Sequence, residues 1–294
     1  MSSLQPEWVD RGAYPFESRY MNTQHGRLHY VDEGRGPVLL MLHGNPTWSF
    51  EFRHLIRGLR DEFRCVAVDH LGFGLSDKPY EVEYTPALHA ANVAALARAL
   101  DLRDITLVVH DWGGPIGLSY AVGQPANVRA VVMSNTWCWP VGTLDFYYQG
   151  FSRFMGGPIG RYLIRNHNFF VDVVLPKAVA NKAALTPEAM FHYRSPFAIP
   201  EDRKASWCFP RQIVAAAPWI GQIWDKRELF RDLPFLVLWG ERDIAFRARE
   251  LGVWERTLRN CRVERFANVG HSIAEEKPDA AIASIRRFFA ARGA

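Results

Sequence analysis

An aspartate stands where a tight turn from a strand into a helix would expose a reactive side chain. The stretch LVVHDWGGPIG (107–117) passes from β-forming residues through Asp111 into glycines, which is typical of such a turn. Enzymes that use this turn usually carry serine at its tip, and Gly113 and Gly114 provide the room that its strained backbone needs. An ordinary helix N-cap is the structural alternative for Asp111. The setting favours a carboxylate nucleophile.

Two partners of this nucleophile, an acid and then a histidine, are expected later in the chain. Asp243 follows the strand-like run LVLWG, and His271 lies in a Gly-His loop after the last such run. Residues 134–136, which follow the preceding strand, contain no carboxylate, so this other common position of the acid is empty. The competing residues in nearby loops are Glu241, His70 and His110. We predict that Asp243 orients His271 and that His271 is the base.

A turn early in the chain could supply hydrogen-bond donors to Asp111. HGNPTWSF (43–50) follows an apolar run. Its His-Gly turn can direct the backbone N–H of Asn45 toward the tight turn that carries Asp111. With the N–H of Trp112, this donor predicts an oxyanion hole. The glycine-rich loop 69–79 lacks the Lys-Ser/Thr pair of a phosphate loop, and we interpret it as structural.

Short apolar runs alternate with helical patterns, which predicts an α/β fold with a mostly parallel, twisted sheet flanked by helices. The predicted strands are 27–33, 37–43, 64–69, 105–110, 129–135, 235–240 and 262–267, and the predicted helices are about 47–60, 85–100, 246–258 and 275–291. The alternation stops in an aromatic-rich middle segment. We expect residues 1–137 and 216–294 to form the core and 138–215 a mainly helical cap over the ligand-binding edge of the sheet.

The composition excludes several classes of protein. With 294 residues, of which 48% are hydrophobic, the chain can bury one sizeable core. The net charge of +4 is spread along the chain without a basic stripe, which argues against nucleic acid as a partner. No signal peptide and no apolar run of roughly 20 residues stand out, so we expect no membrane association. Four widely spaced cysteines suggest reduced thiols, and we predict a cytoplasmic protein.

Nearly the whole chain resembles the haloalkane dehalogenases of the α/β-hydrolase superfamily. The motifs that carry the resemblance are HGNPTW (43–48) and HDWGGP (110–115). The implied site consists of the nucleophile Asp111, the acid Asp243, the base His271 and the halide-binding side chains of Asn45 and Trp112. This combination, together with NTWCWP (135–140), is most similar to the third subfamily.

The resemblance implies two-step displacement at a saturated carbon. An aspartate is ordinarily ionised at neutral pH, so Asp111 can expel halide from a small hydrophobic haloalkane and become an alkyl ester. Water activated by His271 then hydrolyses the ester and releases a primary alcohol and a proton. Halide is a very weak base that needs N–H donors and no acid, which suits Asn45 and Trp112. The reaction requires no metal and no organic cofactor.

Other functions remain open at this point. An epoxide hydrolase would use the same nucleophile with cap tyrosines as acids, although such enzymes usually carry an aromatic residue where this chain has Asn45. The candidate tyrosines are Tyr147, Tyr148, Tyr162 and Tyr193. In fluoroacetate dehalogenases an arginine typically follows the nucleophilic aspartate, where this chain has Trp112. A ligand-binding relative without turnover would typically lose one of the three catalytic residues. An exposed aromatic face of the cap could support a homo-oligomer.

Overall fold

The computed structural model describes residues 5–292 of the chain. Within them, the strands of one mixed sheet are β1 (Arg19–Thr23), β2 (Gly26–Glu33), β3 (Val38–Leu42), β4 (Arg64–Val68), β5 (Ile105–His110), β6 (Val128–Ser134), β7 (Phe235–Gly240) and β8 (Cys261–Phe266). Their order is β1-β2-β4-β3-β5-β6-β7-β8. β2 is antiparallel to β1 and β4, and all other neighbours are parallel. The prediction of an α/β fold with a mostly parallel sheet is confirmed.

The helices flank this sheet or lie between β6 and β7. They are α1 (Arg53–Leu59), α2 (Pro86–Ala99), α3 (Gly113–Gly123), α4 (Phe146–Met155), α5 (Pro158–His167), α6 (Leu175–Ala178), α7 (Pro187–Arg194), α8 (Lys204–Ala215), α9 (Ala217–Asp225), α10 (Ala248–Thr257), α11 (Ile273–Glu276) and α12 (Pro278–Ala290). A π-helical turn spans Phe170–Val174, and 3₁₀ turns span Ser49–Phe52, Pro125–Asn127, Lys182–Ala184, Ser195–Phe197, Pro200–Arg203 and Arg227–Leu229. No helix within residues 5–292 combines the length and hydropathy that a membrane span requires.

The central strands follow the sequence pattern closely. β3, β5 and β7 are buried along their whole length, as expected for parallel strands covered by helices on both faces. The predicted bounds of β5 and β7 coincide with the observed ones. The edge strand β1 was not predicted, because its residues are largely polar or partly exposed. The single helix predicted from 47 to 60 is a 3₁₀ turn followed by α1.

The connection between β6 and β7 (residues 135–234, hereafter the helical insertion) contains α4 to α9 and no strand. Buried polar contacts join it to the rest of the fold. The guanidinium of Arg53 donates two 2.6 Å hydrogen bonds to the Glu275 carboxylate, which also accepts a 3.0 Å bond from the Tyr193 hydroxyl of α7. All three side chains are buried, so this contact fixes α7 against the core. The five predicted site residues follow the carboxyl ends of β3, β5, β7 and β8, beneath the insertion.

Candidate active site

Asp111 occupies the sharp turn between β5 and α3. Its backbone φ of 50° lies in the left-handed region that residues other than glycine seldom adopt. A Cβ on Gly113 would come within 2.0 Å of the Leu42 carbonyl oxygen, so a larger residue does not fit beside the turn. The Thr136 hydroxyl donates a 2.5 Å hydrogen bond to the backbone carbonyl of Asp111. These contacts hold the strained turn and direct the Asp111 carboxylate into a cavity.

His271 lies between two carboxylates. Its Nδ1 is 2.8 Å from Oδ2 of Asp243, and its Nε2 is 3.8 Å from Oδ2 of Asp111. Burial alone would lower the pKa of His271, but the nearby carboxylates of Asp243, Asp111 and Glu51 outweigh it and raise this pKa to about 9. The structure therefore brings the three predicted residues together, with His271 between Asp111 and Asp243.

A backbone donor contacts the Asp111 carboxylate. The N–H of Asn45 donates a 2.9 Å hydrogen bond to Oδ1 of Asp111, as the predicted oxyanion hole requires. A Cβ on the preceding Gly44 would come within 2.2 Å of that same oxygen, so this close approach needs glycine. The second predicted donor, the N–H of Trp112, remains a prediction.

The side chains predicted to bind halide both line the cavity. The Trp112 ring packs edge-on against Trp137, with centroids 4.7 Å apart, and against Phe209, with centroids 4.9 Å apart. These contacts fix the indole in the cavity wall. The Asn45 amide nitrogen donates a long 3.4 Å hydrogen bond to the Ser206 carbonyl, a weak contact that an anion could replace.

The cavity over Asp111 has a volume of about 140 Å³ and is lined mostly by apolar side chains of the core and the helical insertion. A single buried water occupies roughly 10–15 Å³ by the same measure, so a substrate of several carbon atoms fits. Aromatic rings dominate the wall, among them Trp139, Phe151, Phe170 and Phe246. Such a wall excludes bulk water and strengthens the interactions between the charged groups at its base.

The relatives of the chain share this architecture. The α/β hydrolase fold family matches residues 37–278. "Haloalkane dehalogenase 2" of Mycobacterium tuberculosis is 40% identical over 284 residues, which cover 95% of this chain and 97% of the relative. The chain belongs to the haloalkane dehalogenase family. The predicted family is thereby confirmed.

Two further relatives of this family member are informative. The crystal structure of the haloalkane dehalogenase DatA from Agrobacterium tumefaciens C58 superposes with a TM-score of 0.84 at 29% identity, covering 95% of this chain and 97% of DatA. A protein of Shewanella oneidensis named "Cis-3-alkyl-4-alkyloxetan-2-one decarboxylase" is 30% identical over 287 residues, covering 93% of this chain and 88% of the relative. The relatives of this chain therefore include proteins whose names give different reactions.

Asn135 is a site residue of this dehalogenase family member that the sequence analysis missed. It lies in the stretch 134–136, which contains no carboxylate. Its amide nitrogen donates a 2.8 Å hydrogen bond to Oδ2 of Asp243, and its amide oxygen accepts a 2.8 Å bond from the Gly240 N–H. The Ala245 N–H donates to the other Asp243 oxygen at 2.7 Å. These hydrogen bonds fix the buried Asp243 carboxylate in the orientation that places its Oδ2 beside His271.

The loop that carries His271 is fixed by Glu276, which the sequence analysis also missed. The Glu276 carboxylate accepts hydrogen bonds of 2.8 to 2.9 Å from the backbone N–H groups of Gly270, Ala180 and Asn181. The N–H of His271 donates a 3.0 Å bond to the Ala178 carbonyl. The base is therefore anchored to the helical insertion as well as to the core.

Three other residues are alternatives to Asp243 and His271 in the sequence, and none of them takes the position of either. Glu241 is exposed, and the His70 backbone and ring both bond to His43, outside the cavity lining. His110 lines the cavity beside His271, with ring centroids 4.4 Å apart. Its Nδ1 lies 2.7 Å from the Glu51 carboxylate.

A Ser-His-Asp arrangement, separate from the Asp111-His271-Asp243 site, lies at the glycine-rich loop. His29 is 2.9 Å from the Ser18 hydroxyl and 2.8 Å from Asp69, and all three side chains are buried outside the cavity lining. Asp69 also accepts hydrogen bonds from the backbone N–H groups of Ser49 and Leu75. These contacts tie the loop 69–79 to the sheet and agree with its structural interpretation.

Proposed function

We propose that this member of the haloalkane dehalogenase family hydrolyses carbon–halogen bonds of small hydrophobic haloalkanes, with Asp111 as nucleophile, His271 as base and Asp243 as acid. The observation that carries the proposal is the carboxylate of Asp111 at the floor of an apolar cavity, beside an imidazole held by a second carboxylate. Asn45 and Trp112 bind the leaving halide. The residue set is that of the third subfamily.

In the first step an oxygen of Asp111 attacks the carbon that bears the halogen. The carbon–oxygen bond forms as the carbon–halogen bond breaks, and the halide leaves with the bonding electron pair. The strained turn fixes the orientation of the Asp111 carboxylate before the substrate binds. The aromatic wall removes the water that would solvate this carboxylate. The side-chain N–H groups of Asn45 and Trp112 stabilise the halide without giving up a proton.

In the second step water attacks the carboxyl carbon of the Asp111 ester. His271 removes one proton of the water through Nε2, and the 3.8 Å between this nitrogen and Asp111 leaves that nitrogen free for a water. The N–H of Asn45 faces the carboxyl oxygen on which negative charge develops. The ester bond then breaks, the alcohol oxygen takes one proton, and the other proton goes to solvent. The water oxygen stays on Asp111.

The change in charge on Asp111 switches His271 between its two roles. While Asp111 is ionised, its charge helps to raise the pKa of His271 to about 9, which favours the imidazolium. Formation of the neutral ester removes this contribution, so the pKa falls and the imidazole becomes available as a base. The base is thus activated by the first half-reaction.

Epoxide hydrolysis is less well supported, because the cap tyrosines are poorly placed as acids. The Tyr147 and Tyr148 hydroxyls donate to the carbonyls of Ile244 and Ala245 at 3.2 and 2.7 Å. Burial raises the pKa of Tyr148, which weakens it as a proton donor. Tyr162 and Tyr193 do not line the cavity.

Decarboxylation of a β-lactone is a second candidate, favoured by the similarity to the S. oneidensis protein. Attack of Asp111 on the saturated ring carbon that bears the lactone oxygen would expel a carboxylate, which needs no proton. Departure of Asp111 with loss of carbon dioxide would then give an alkene. This route needs neither water nor a halide site, so the polar groups at Asn45 and Trp112 favour dehalogenation.

We also propose that residues 138–215 act as the cap that closes the cavity, and that the protein is cytoplasmic. Within residues 5–292, the four cysteines are free thiols, two of them buried, as expected in a reducing compartment. Self-association through the exposed aromatic residues of α4 and α5 remains a proposal that sedimentation would test.

The proposed activity is tested by halide release from brominated and chlorinated alkanes, with styrene oxide and a cis-3,4-dialkyl β-lactone as competing substrates. Release of bromide from 1,2-dibromoethane with formation of an alcohol is the expected result. Preferred conversion of the epoxide to a diol, or of the lactone to an alkene and carbon dioxide, would contradict the proposal.

A further inference from the structure

A second carboxylate–imidazole pair lies beside the proposed base. Nδ1 of His110 is 2.7 Å from Oε1 of Glu51, and the His110 ring contacts the His271 ring at 4.4 Å between centroids. Two imidazoles and two buried carboxylates thus form one cluster next to Asp111. The proposed mechanism uses only the Asp243–His271 pair.

Glu51 joins three segments that form the active site. Its carboxylate accepts 2.8 Å hydrogen bonds from two hydroxyls. One belongs to Thr47, in the turn that carries Asn45, and the other to Ser272, which follows His271. His110, its third contact, precedes the nucleophile. The side chain of Glu51 is only 1% exposed, so its charge is not screened by solvent.

The carboxyl of Glu51 stays ionised in this setting. Burial alone would raise its pKa, but His110 and the Thr47 and Ser272 hydroxyls lower it to about 2. The charged or titratable groups that face His271 are therefore Asp243, Asp111, His110 and Glu51. The charge of Glu51 also acts on the titratable side chains of His43 and Tyr193.

We propose that Glu51 is a positioning residue for ester hydrolysis: its buried charge stabilises the His271 imidazolium once Asp111 is an ester. This inference rests on the proposed two-step function. During halide displacement Asp111 carries its own charge and His271 exchanges no proton, so Glu51 has little influence. During hydrolysis the Asp111 charge is absent, and only Asp243 and Glu51 offset the positive charge that His271 acquires.

Glu51→Gln separates the charge from the hydrogen bonds. The amide oxygen can accept from His110 and Ser272, and the amide nitrogen can donate to the Thr47 oxygen. The Thr47 hydroxyl can then turn its proton to the Gly44 carbonyl, 3.3 Å away. The variant should form the alkyl ester at the wild-type rate, seen as an unchanged halide burst with 1,2-dibromoethane. Its hydrolysis rate should fall about tenfold, the factor that corresponds to one pKa unit of lost imidazolium stabilisation.

The pH profile distinguishes a charge effect from a packing effect. The rising limb of the hydrolysis rate should move to lower pH by about one unit in Glu51→Gln, because removal of a nearby negative charge lowers the pKa of His271. Thr47→Val loses one hydrogen bond to Glu51 but keeps the charge, so its limb should stay at the wild-type pH. A limb that stays in place in Glu51→Gln, or that moves equally in Thr47→Val, would overturn the proposal.

The experiment also separates this inference from the proposed function. The absence of any halide burst in the wild-type protein would refute the dehalogenase proposal itself, whereas a normal burst with wild-type hydrolysis in Glu51→Gln refutes only the role of Glu51. Should Glu51→Gln fail to fold, the double variant Glu51→Gln/His110→Gln replaces the pair by two amides that can bond to each other. Compared with His110→Gln, which keeps the Glu51 charge, the double variant should hydrolyse the ester more slowly and have its limb at lower pH; equal rates and limbs in the two variants would overturn the proposal.

Discussion

Nε2 of His271 stands 3.8 Å from Oδ2 of Asp111, too far for a direct hydrogen bond and close enough for a strong electrostatic interaction. This distance links the two half-reactions, because the charge on Asp111 is present before halide displacement and absent after it. The same pair of residues can therefore form an ion pair in the free enzyme and a base with its ester substrate in the intermediate.

The first prediction concerns the pH dependence of hydrolysis. Since Asp111 contributes to the His271 pKa of about 9, the alkyl-enzyme should lose activity as the pH falls through a midpoint below 9. Rapid-quench measurement of ester breakdown at a series of pH values would give this midpoint. A midpoint at or above 9 would show that esterification does not lower the proton affinity of His271.

The second prediction concerns the nucleophile. Asp111→Asn should reduce halide release by on the order of 10³-fold or more, since no other nucleophile is placed at the turn. The melting temperature should stay close to that of the wild type, because an amide fits the same space. Halide release by Asp111→Asn at the wild-type rate would exclude covalent catalysis through this residue.

The third prediction concerns the halide site. Trp112→Phe keeps an aromatic ring to pack on Trp137 and Phe209 but removes the N–H, and should slow the halide burst about tenfold to hundredfold. Trp224→Phe is the matched control, because Trp224 does not line the cavity. Stopped-flow detection of released bromide would compare the two variants. Equal burst rates in both would remove Trp112 from the halide site.

Much of this site was predictable from the sequence, because the relevant signals are local. β5, the turn at Asp111 and the loop with His271 each lie in one short stretch whose residue types determine its conformation. Asn135 and Glu276 were missed because they act through tertiary hydrogen bonds to residues in other segments. Glu51 was missed for the same reason, since an acidic residue near a helix start usually lies on the surface.

The fourth prediction concerns acid stability. Burial and the nearby His43 keep the pKa of His89 at about 3, so the folded protein leaves His89 neutral while the unfolded chain binds a proton below about pH 6.5. Stability should therefore fall as the pH is lowered from about 6.5. Burial lowers the pKa values of His43 and His70 as well, which adds to the effect.

His89→Phe tests this acid sensitivity. His89 stacks on Phe209 with 12° between the rings, and neither ring nitrogen has a hydrogen-bond partner within the described part of the chain. A phenyl ring should keep the stacking and remove the proton uptake on unfolding. The melting temperature of His89→Phe should therefore decline less between pH 7 and 5 than that of the wild type. A parallel decline would show that His89 does not contribute.

The covalent intermediate is the central claim, and intact-mass spectrometry of His271→Ala after mixing with 1,2-dibromoethane tests it most directly. The variant should release one bromide per site and then stall, with one bromoethyl group, in place of a proton, added to the mass of the intact protein. The double variant Asp111→Asn/His271→Ala should show no added mass. Continuous turnover by His271→Ala, or bromide release without an adduct, would contradict the two-step mechanism.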